Sequence, residues 1–292
     1  MEKSDITDKK TIVVLGATGQ QGGGVARSLL ATNRWSLRTI SRDPDSPAAA
    51  GLLRQGIDVR AGNLDQPSSL REAFESAYGV YSVQGTEGGA EAEVRRGIAV
   101  ADAAKEAGVA HFIYASVGGA DRASSVPHFE SKWRIEEHVR SIGLPATIVR
   151  PTFFMDNFAR TVPRWVLIAL MRSYVPDAKP LQMIAVDDIG EWAARAFAAP
   201  ESFIGRAEEI AGDELTRKEI VAALRAEGYS AALPFPIPRF ALGVIPVDIR
   251  RMFEWFSQAG YRADLAQLRI DQPGLMTFRA WVSDYREASS AS

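Results

Sequence analysis

The stretch TIVVLGATGQQGGG, residues 11–24, decides the fold of this chain. Its first five residues form a short apolar, β-branched run, and a helical pattern begins at Val25. A strand, a glycine turn and a helix in this order are the context in which N–H groups at a helix start bind a phosphate. Gly16 allows a sharp turn, Gly19 allows backbone to approach a pyrophosphate, and Gly22 lets the helix pack closely on the strand. We therefore predict a dinucleotide-binding loop, with a glycine turn that holds no ligand as the alternative.

Composition restricts the possible classes of protein. The chain has 292 residues, 46% of them hydrophobic and 24% charged, which is typical of a globular protein with a large core. A net charge of −2 without a basic stripe gives no reason to expect nucleic acid as a partner. There are no cysteines, and the three histidines lack ligand spacing, so we expect no metal site. The polar N-terminus and the absence of a long apolar run predict a cytoplasmic protein that does not enter a membrane.

Strand and helix patterns alternate through the first half of the chain. Strands are predicted at residues 11–15, 36–41, 57–61, 79–83, 111–116 and 146–150, with helical patterns between them. This alternation predicts an α/β fold with a Rossmann-type, doubly wound parallel sheet. We predict a nucleotide-binding domain over residues 1–150, with a return segment at about 184–200.

The pattern becomes irregular after Pro151. Residues 151–183 and 201–292 are predicted to form a smaller, interrupted substrate domain. Residues 153–158 are read as a loop or helix start, and 183–189 and 206–211 as short strands. Thr216 is expected to cap a helix to about Glu227, and residues 250–261 and 274–285 to be helical. The proline-rich segment Leu233–Pro238 must be extended or irregular.

Ligands of open α/β sheets bind beyond the carboxyl ends of the strands, so the residues there are candidates for binding the cofactor. Arg42 follows the second strand and suits a 2′-phosphate, which favours NADP(H) and leaves NAD(H) possible. Asp43 and Asp45 lie nearby and would weaken this argument by pairing with Arg42; a solvated arginine is the alternative. The cofactor-binding candidates are Gly16, Thr18, Gly19, Gln20, Gln21, Gly22, Arg42, Asn63, Leu64, Val83, Gln84, Lys132, Pro151, Phe153 and Phe154.

Several stretches together resemble the NmrA-like family of atypical short-chain dehydrogenases. The resemblance extends over roughly residues 10 to 285. It rests on the glycine loop, whose spacing is G-x-x-G-x-x-G, and on the stretches 41–44, 62–65, 128–137, 150–157 and 252–281. It implies that Lys132 contacts the nicotinamide ribose, and that His128 stands where typical members of the superfamily have a tyrosine proton donor. It also implies that Ser116 occupies the position of an assisting serine.

These residues define the catalytic and substrate candidates. Lys132, His128 and Ser116 are the catalytic candidates, and Phe154, Asn157 and His128 are the substrate candidates. They have structural alternatives: Lys132 as a surface lysine, His128 as a helix-start residue that packs or caps, and the aromatic residues as core. The alternative for Ser116 is a hydrogen bond to a nearby backbone group. Phe153 and Phe154 lie just beyond the sixth strand, where the resemblance places the nicotinamide, and aromatic side chains there would stack on its ring or line a substrate pocket.

Two functions follow from the resemblance and the residues. The first is an oxidoreductase that uses NADP(H) to reduce a quinone, carbonyl or related conjugated small molecule. Such a substrate needs little help from a general acid, which fits the missing tyrosine. The second is a catalytically silent NADP(H) or redox sensor that regulates a protein partner. With either function the protein is expected to be a monomer or homodimer. A fold alone does not decide between them.

Overall fold

The computed structural model describes residues 9–85, 87–122, 125–159, 164–230 and 245–290. The chain forms two compact units. The first contains the residues up to Ser116 together with Ser131–Val149 and Ile189–Ala207. The second contains Val117–Glu130, Arg150–Asp188 and the residues from Glu208 onward. Each unit is therefore built from three separate segments of the chain.

The strands belong to two sheets. Their bounds are β1 (Thr11–Val14), β2 (Ser36–Ser41), β3 (Asp58–Ala61), β4 (Ala77–Ser82), β5 (His111–Ala115), β6 (Ala146–Pro151), β7 (Phe153–Phe154), β8 (Leu181–Ile184), β9 (Ala207–Ile210) and β10 (Asp213–Leu215). The larger sheet has seven strands in the order β3-β2-β1-β4-β5-β6-β9, and the strands from β3 to β6 are parallel. The smaller sheet has the order β10-β8-β7. The α/β fold with a doubly wound sheet is confirmed.

Helices connect these strands and complete the second unit. Their bounds are α1 (Gln20–Ala31), α2 (Pro47–Arg54), α3 (Ser68–Phe74), α4 (Gly89–Glu106), α5 (Pro127–Ser141), α6 (Arg164–Tyr174), α7 (Val186–Ala198), α8 (Pro200–Phe203), α9 (Arg217–Ala226), α10 (Val247–Gln258), α11 (Leu265–Asp271) and α12 (Phe278–Ser290). A 3₁₀ helix covers Met155–Ala159. Among the helices of the described ranges, none is long and apolar enough to cross a membrane.

Alternating side chains of the parallel strands are buried on the two faces of the large sheet. On one face, apolar residues of β1, β4 and β5 pack with Phe74 of α3, Val100 of α4 and Ile135 of α5. On the other face, Phe197 of α7 lies edge-on to His111 of β5, with ring centroids 5.3 Å apart. Helices thus cover both faces, as the unbroken apolar strand patterns require.

An aromatic core holds the second unit together. It includes Phe153 of β7, Phe158 of the 3₁₀ helix, Phe253 and Phe256 of α10, and Phe278 of α12. Phe153 and Phe256 meet edge to face, with ring centroids 6.0 Å apart. Such aromatic pairs add specific geometry to the burial of apolar area.

Local predictions in the second half of the chain had mixed outcomes. Thr216 caps α9 in a capping box with Glu219, as predicted. The strand predicted at 183–189 is instead β8, which ends at Ile184, followed by the start of α7. The Asp156 carboxylate accepts a hydrogen bond from the backbone N–H of Val186, at 2.9 Å, which supports the helix start there. Leu233–Pro238 lies outside the described residues.

Candidate functional site

The glycine loop joins β1 to α1 and leaves backbone open to solvent. Gly16 has φ +65° and accepts a hydrogen bond from the N–H of Gly19 at 2.8 Å. Gly16, Thr18 and Gly19 are exposed, whereas Gly22 is buried. A Cβ at Gly22 would lie 2.3 Å from the Gly16 carbonyl oxygen, so only glycine lets α1 approach β1 this closely. Gly19 precedes α1 without a side-chain cap, and the first turn has no acidic residue.

The end of β4 lies against this loop. A Cβ at Gly16 would stand 3.1 Å from Cγ1 of Val83. Next to Val83, Gln84 is buried and its side-chain nitrogen donates to the Ser82 hydroxyl at 2.8 Å. The side-chain oxygen of Gln84 is buried without a hydrogen-bond partner among the described residues. Gln21 is turned inward, where its amide donates to the hydroxyl of Tyr81 at 3.0 Å.

The ends of β2 and β3 carry the other cofactor candidates of the first unit. Arg42 is exposed, and within the described ranges neither Asp43 nor Asp45 forms an ion pair with it. The Asn63 side chain accepts the N–H of Asp65 at 3.0 Å, which fixes the turn after β3. Leu64 is half-buried in the same turn.

The carboxylate of Asp65 ties this turn to α4. Arg96 and Arg95 donate to it at 2.7 and 2.8 Å. These two hydrogen bonds lower the pKa of Asp65 to about 2. Arg96 also donates to the backbone carbonyl of Glu87, so one guanidinium connects the segments that follow β3 and β4.

Lys132 on α5 lies at the carboxyl end of β5. Its ammonium donates to the carbonyl of Ala115 at 3.1 Å and lies 3.1 Å from a carboxylate oxygen of Glu93. It also stands 5.7 Å from the ring centroid of Tyr114. Burial, together with the charges of Glu93 and Glu136, raises the pKa of Tyr114 well above its usual value. Tyr114 therefore stays protonated.

The Ser116 hydroxyl is engaged by a buried acid. It donates to Glu136 of α5 at 2.5 Å, and Arg140 donates to the other oxygen of the same carboxylate at 2.8 Å. Glu136 is fully buried. The alternative to a catalytic Ser116 is a structural hydroxyl bonded to nearby backbone, and the partner in the structure is a side-chain carboxylate instead.

Gln20 is half-buried at the start of α1, and the other remaining candidates belong to the second unit. His128 lies in the first turn of α5 and packs edge-on against Phe129, with ring centroids 4.7 Å apart. Pro151 ends β6 and is buried. Phe153 is buried in the aromatic core, whereas Phe154 and Asn157 are half-buried. Core packing thus accounts for Phe153.

Two acidic residues of the first unit, Glu93 and Glu136, were missed by the sequence reasoning. A signal for Glu93 was present, because it shares the buried face of α4 with Gly97, Val100 and Ala104 at helical spacing. A carboxylate on an apolar helix face needs a partner, since burying an unpaired charge is costly. The partners of Glu93, Ser131 and Lys132, were not readable from the sequence because they lie on another helix, α5.

The geometry of the first unit suits a bound dinucleotide. The close approach at Gly22 and the exposed loop backbone at an uncapped helix start are the features that bind a pyrophosphate. At the end of β4, the side-chain oxygen of Gln84 is an acceptor without a partner among the described residues. The fold is that of NAD(P)-binding Rossmann proteins. A profile of the NmrA-like family matches residues 8–271, and the chain belongs to this family.

Two relatives illustrate the range of the family. An NmrA-like family domain-containing protein of Dictyostelium discoideum is 29% identical over 73% of this chain and 75% of its own length. The NmrA-like oxidoreductase FrzB of Cladobotryum sp. is 33% identical over 50% of this chain and 47% of its own length. The match thus covers about half of FrzB.

Solved structures share the fold at low identity. Nmra, a negative transcriptional regulator, has a TM-score of 0.78 at 23% identity, covering 97% of this chain and 98% of its own. Triphenylmethane reductase of Citrobacter sp., complexed with NADP(H), has a TM-score of 0.76 at 22% identity, with coverages of 94% and 99%. The NADPH-dependent quinone oxidoreductase QOR2 of Escherichia coli, complexed with NADPH, has a TM-score of 0.75 at 24% identity, with coverages of 94% and 99%.

Proposed function

We propose that this chain binds a nicotinamide nucleotide, NADP(H) in preference to NAD(H), and reduces a quinone, carbonyl or related conjugated small molecule. The proposal rests on two features that occur together: the close approach of α1 to the glycine loop at Gly22, and Lys132 held at the end of β5. Relatives named as oxidoreductases, and neighbours that reduce quinones or triphenylmethane dyes, support the same direction.

The chain's own residues have distinct roles in this proposal. The loop backbone at Gly16 and Gly19 binds the pyrophosphate, and Arg42 binds the 2′-phosphate. Lys132 binds the nicotinamide ribose, and the nicotinamide supplies hydride when reduced. His128 donates a proton to the reduced substrate oxygen, because imidazole titrates near neutral pH. A quinone suits this set, since its reduced oxygen is a stabilised anion that makes a weak demand on the acid.

The test is NADPH oxidation measured with a panel of quinones and aromatic carbonyls. We expect turnover with at least one class of quinone. His128→Asn should then lower turnover of simple carbonyls more than turnover of quinones. Intact NADPH binding without turnover across the panel would overturn the reductase.

A regulator is the second candidate. The neighbour with the TM-score of 0.78 is a transcriptional regulator, and structures of that regulator have been solved with NADP and with NAD. His128 in place of a tyrosine also suits a protein that binds the nucleotide without reacting. Capture of one protein partner that depends on the redox form of the nucleotide would support this function, and capture that is indifferent to the nucleotide would contradict it.

A further inference from the structure

The ammonium of Lys132 is held by the protein on two sides. It donates to the Ala115 carbonyl at 3.1 Å and faces the Glu93 carboxylate at 3.1 Å. The Lys132 side chain is 12% exposed and that of Glu93 only 1%. An ammonium has three N–H donors, and the Ala115 carbonyl accepts one of them. The contact with Glu93 is an ion pair in which the Glu93 oxygen accepts no hydrogen bond from the described residues, so donors remain for a ligand, and the ion pair sets the position from which they point.

Glu93 reaches two neighbouring residues of α5 from its place on α4. One carboxylate oxygen faces Lys132, and the other accepts the hydroxyl of Ser131 at 2.5 Å. A buried carboxylate loses several kcal/mol of hydration and persists only where a cation and hydrogen bonds replace it. Glu93 and Lys132 therefore fix each other's position, and Ser131 limits the rotation of the carboxylate.

A second ion pair joins the same two helices but is solvated. Glu91 of α4 pairs with Arg134 of α5 at 2.5 Å, with side chains 78% and 48% exposed. Exposed pairs contribute little to stability or position, because water and salt screen them. The pair provides a matched reference for the buried one.

We propose that Glu93 is a positioning residue for nucleotide binding: it holds Lys132 so that an N–H donor of the ammonium meets a hydroxyl of the nicotinamide ribose. This inference rests on the proposed binding of a nicotinamide nucleotide. It adds Glu93 to the residues that serve that binding. Glu93 acts through Lys132 and does not itself contact the nucleotide.

The experiment compares two ligands on the Glu93→Gln variant. Glutamine keeps an oxygen for the Ser131 hydroxyl and removes the charge that holds Lys132. Dissociation constants are measured by titration calorimetry for NADPH and for 2′,5′-ADP, which has the 2′-phosphate but no nicotinamide ribose. We expect Glu93→Gln to weaken NADPH about tenfold, the scale of a lost hydrogen bond to a charged group, and to leave 2′,5′-ADP unchanged. Glu91→Gln should change neither constant.

Other outcomes overturn the inference. Unchanged NADPH affinity in Glu93→Gln would remove the positioning role, and equal weakening of both ligands would show a general loosening of the unit instead. A wild-type protein that binds neither ligand would overturn the proposed function itself, which is a separate result.

A double variant keeps the inference testable if Glu93→Gln alone does not fold. Glu93→Gln combined with Lys132→Met leaves no unpaired buried charge. Its NADPH affinity should equal that of Lys132→Met alone, because Glu93 acts only through the ammonium. A further loss in the double variant would overturn the inference.

Discussion

Gly22 lies so close to Gly16 that a Cβ at residue 22 would stand 2.3 Å from the Gly16 carbonyl oxygen. We expect Gly22→Ala to push α1 away from β1, lowering the free energy of unfolding by about 1–3 kcal/mol and weakening nucleotide binding. Urea denaturation and NADPH titration measure the two effects.

Gly51→Ala is the matched control for this change. Gly51 lies within α2, and an added Cβ would meet only the mobile end of Arg54, at 3.8 Å. Alanine there should stabilise the protein by about 0.5–1 kcal/mol. A Gly22→Ala protein as stable as this control would show that α1 moves freely away from β1.

Arg42 is expected to select the phosphorylated nucleotide. Because it is exposed and unpaired among the described residues, its guanidinium is available for a 2′-phosphate. Arg42→Ala should weaken NADPH by about tenfold or more and NADH much less, as measured by fluorescence titration. Arg54→Ala, a change of another exposed arginine of the first unit, should leave both affinities unchanged. Equal losses for NADPH and NADH in Arg42→Ala would remove the 2′-phosphate contact.

His111 should make stability depend on pH. It is fully buried beside Thr147, and burial lowers the pKa of its imidazole to about 4. Between pH 6.5 and pH 4 the unfolded chain therefore binds a proton that the folded chain does not. The contribution of His111 to the free energy of unfolding is therefore constant above pH 6.5. It decreases by about 3 kcal/mol as the pH falls towards 4.

Urea denaturation across this pH range checks the prediction. His111→Gln should show a flatter pH profile than the wild type. A wild-type slope in His111→Gln would assign the pH dependence to other groups.

Ser116 provides a test that separates structure from catalysis. Its hydroxyl satisfies the buried Glu136 carboxylate, so Ser116→Ala should lower the free energy of unfolding by about 1–3 kcal/mol. Ser141→Ala, at the exposed end of α5, should cost less. A fall in turnover without a fall in stability would instead show that Ser116 acts on the ligand.

The first half of the fold was readable from the sequence because its signals are local. β1, the glycine loop and α1 follow one another within 21 residues, and each parallel strand is a short apolar run bounded by turn residues. In the second unit β7 has two residues and β10 three, too few for a period to show.

The candidate site was predicted in part for the same reason. Lys132 and the loop glycines belong to motifs that are contiguous in sequence. Glu93 and Glu136 become significant only through Lys132 and Ser116, which lie far away along the chain. Such pairs depend on how helices pack, and a single sequence does not carry that information.

Gly190 of α7 joins two parts of the first unit that lie far apart along the chain. A Cβ there would stand 2.6 Å from the Gly24 carbonyl oxygen of α1, so the two helices touch backbone to backbone. The loop at Gly16 is synthesised early, but the helix that supports α1 emerges only after about 175 further residues, which takes about 10–35 seconds at ordinary translation rates. Until then α1 lacks the helix that packs on it at Gly24, and we expect chaperones to act on the unfinished unit in that interval.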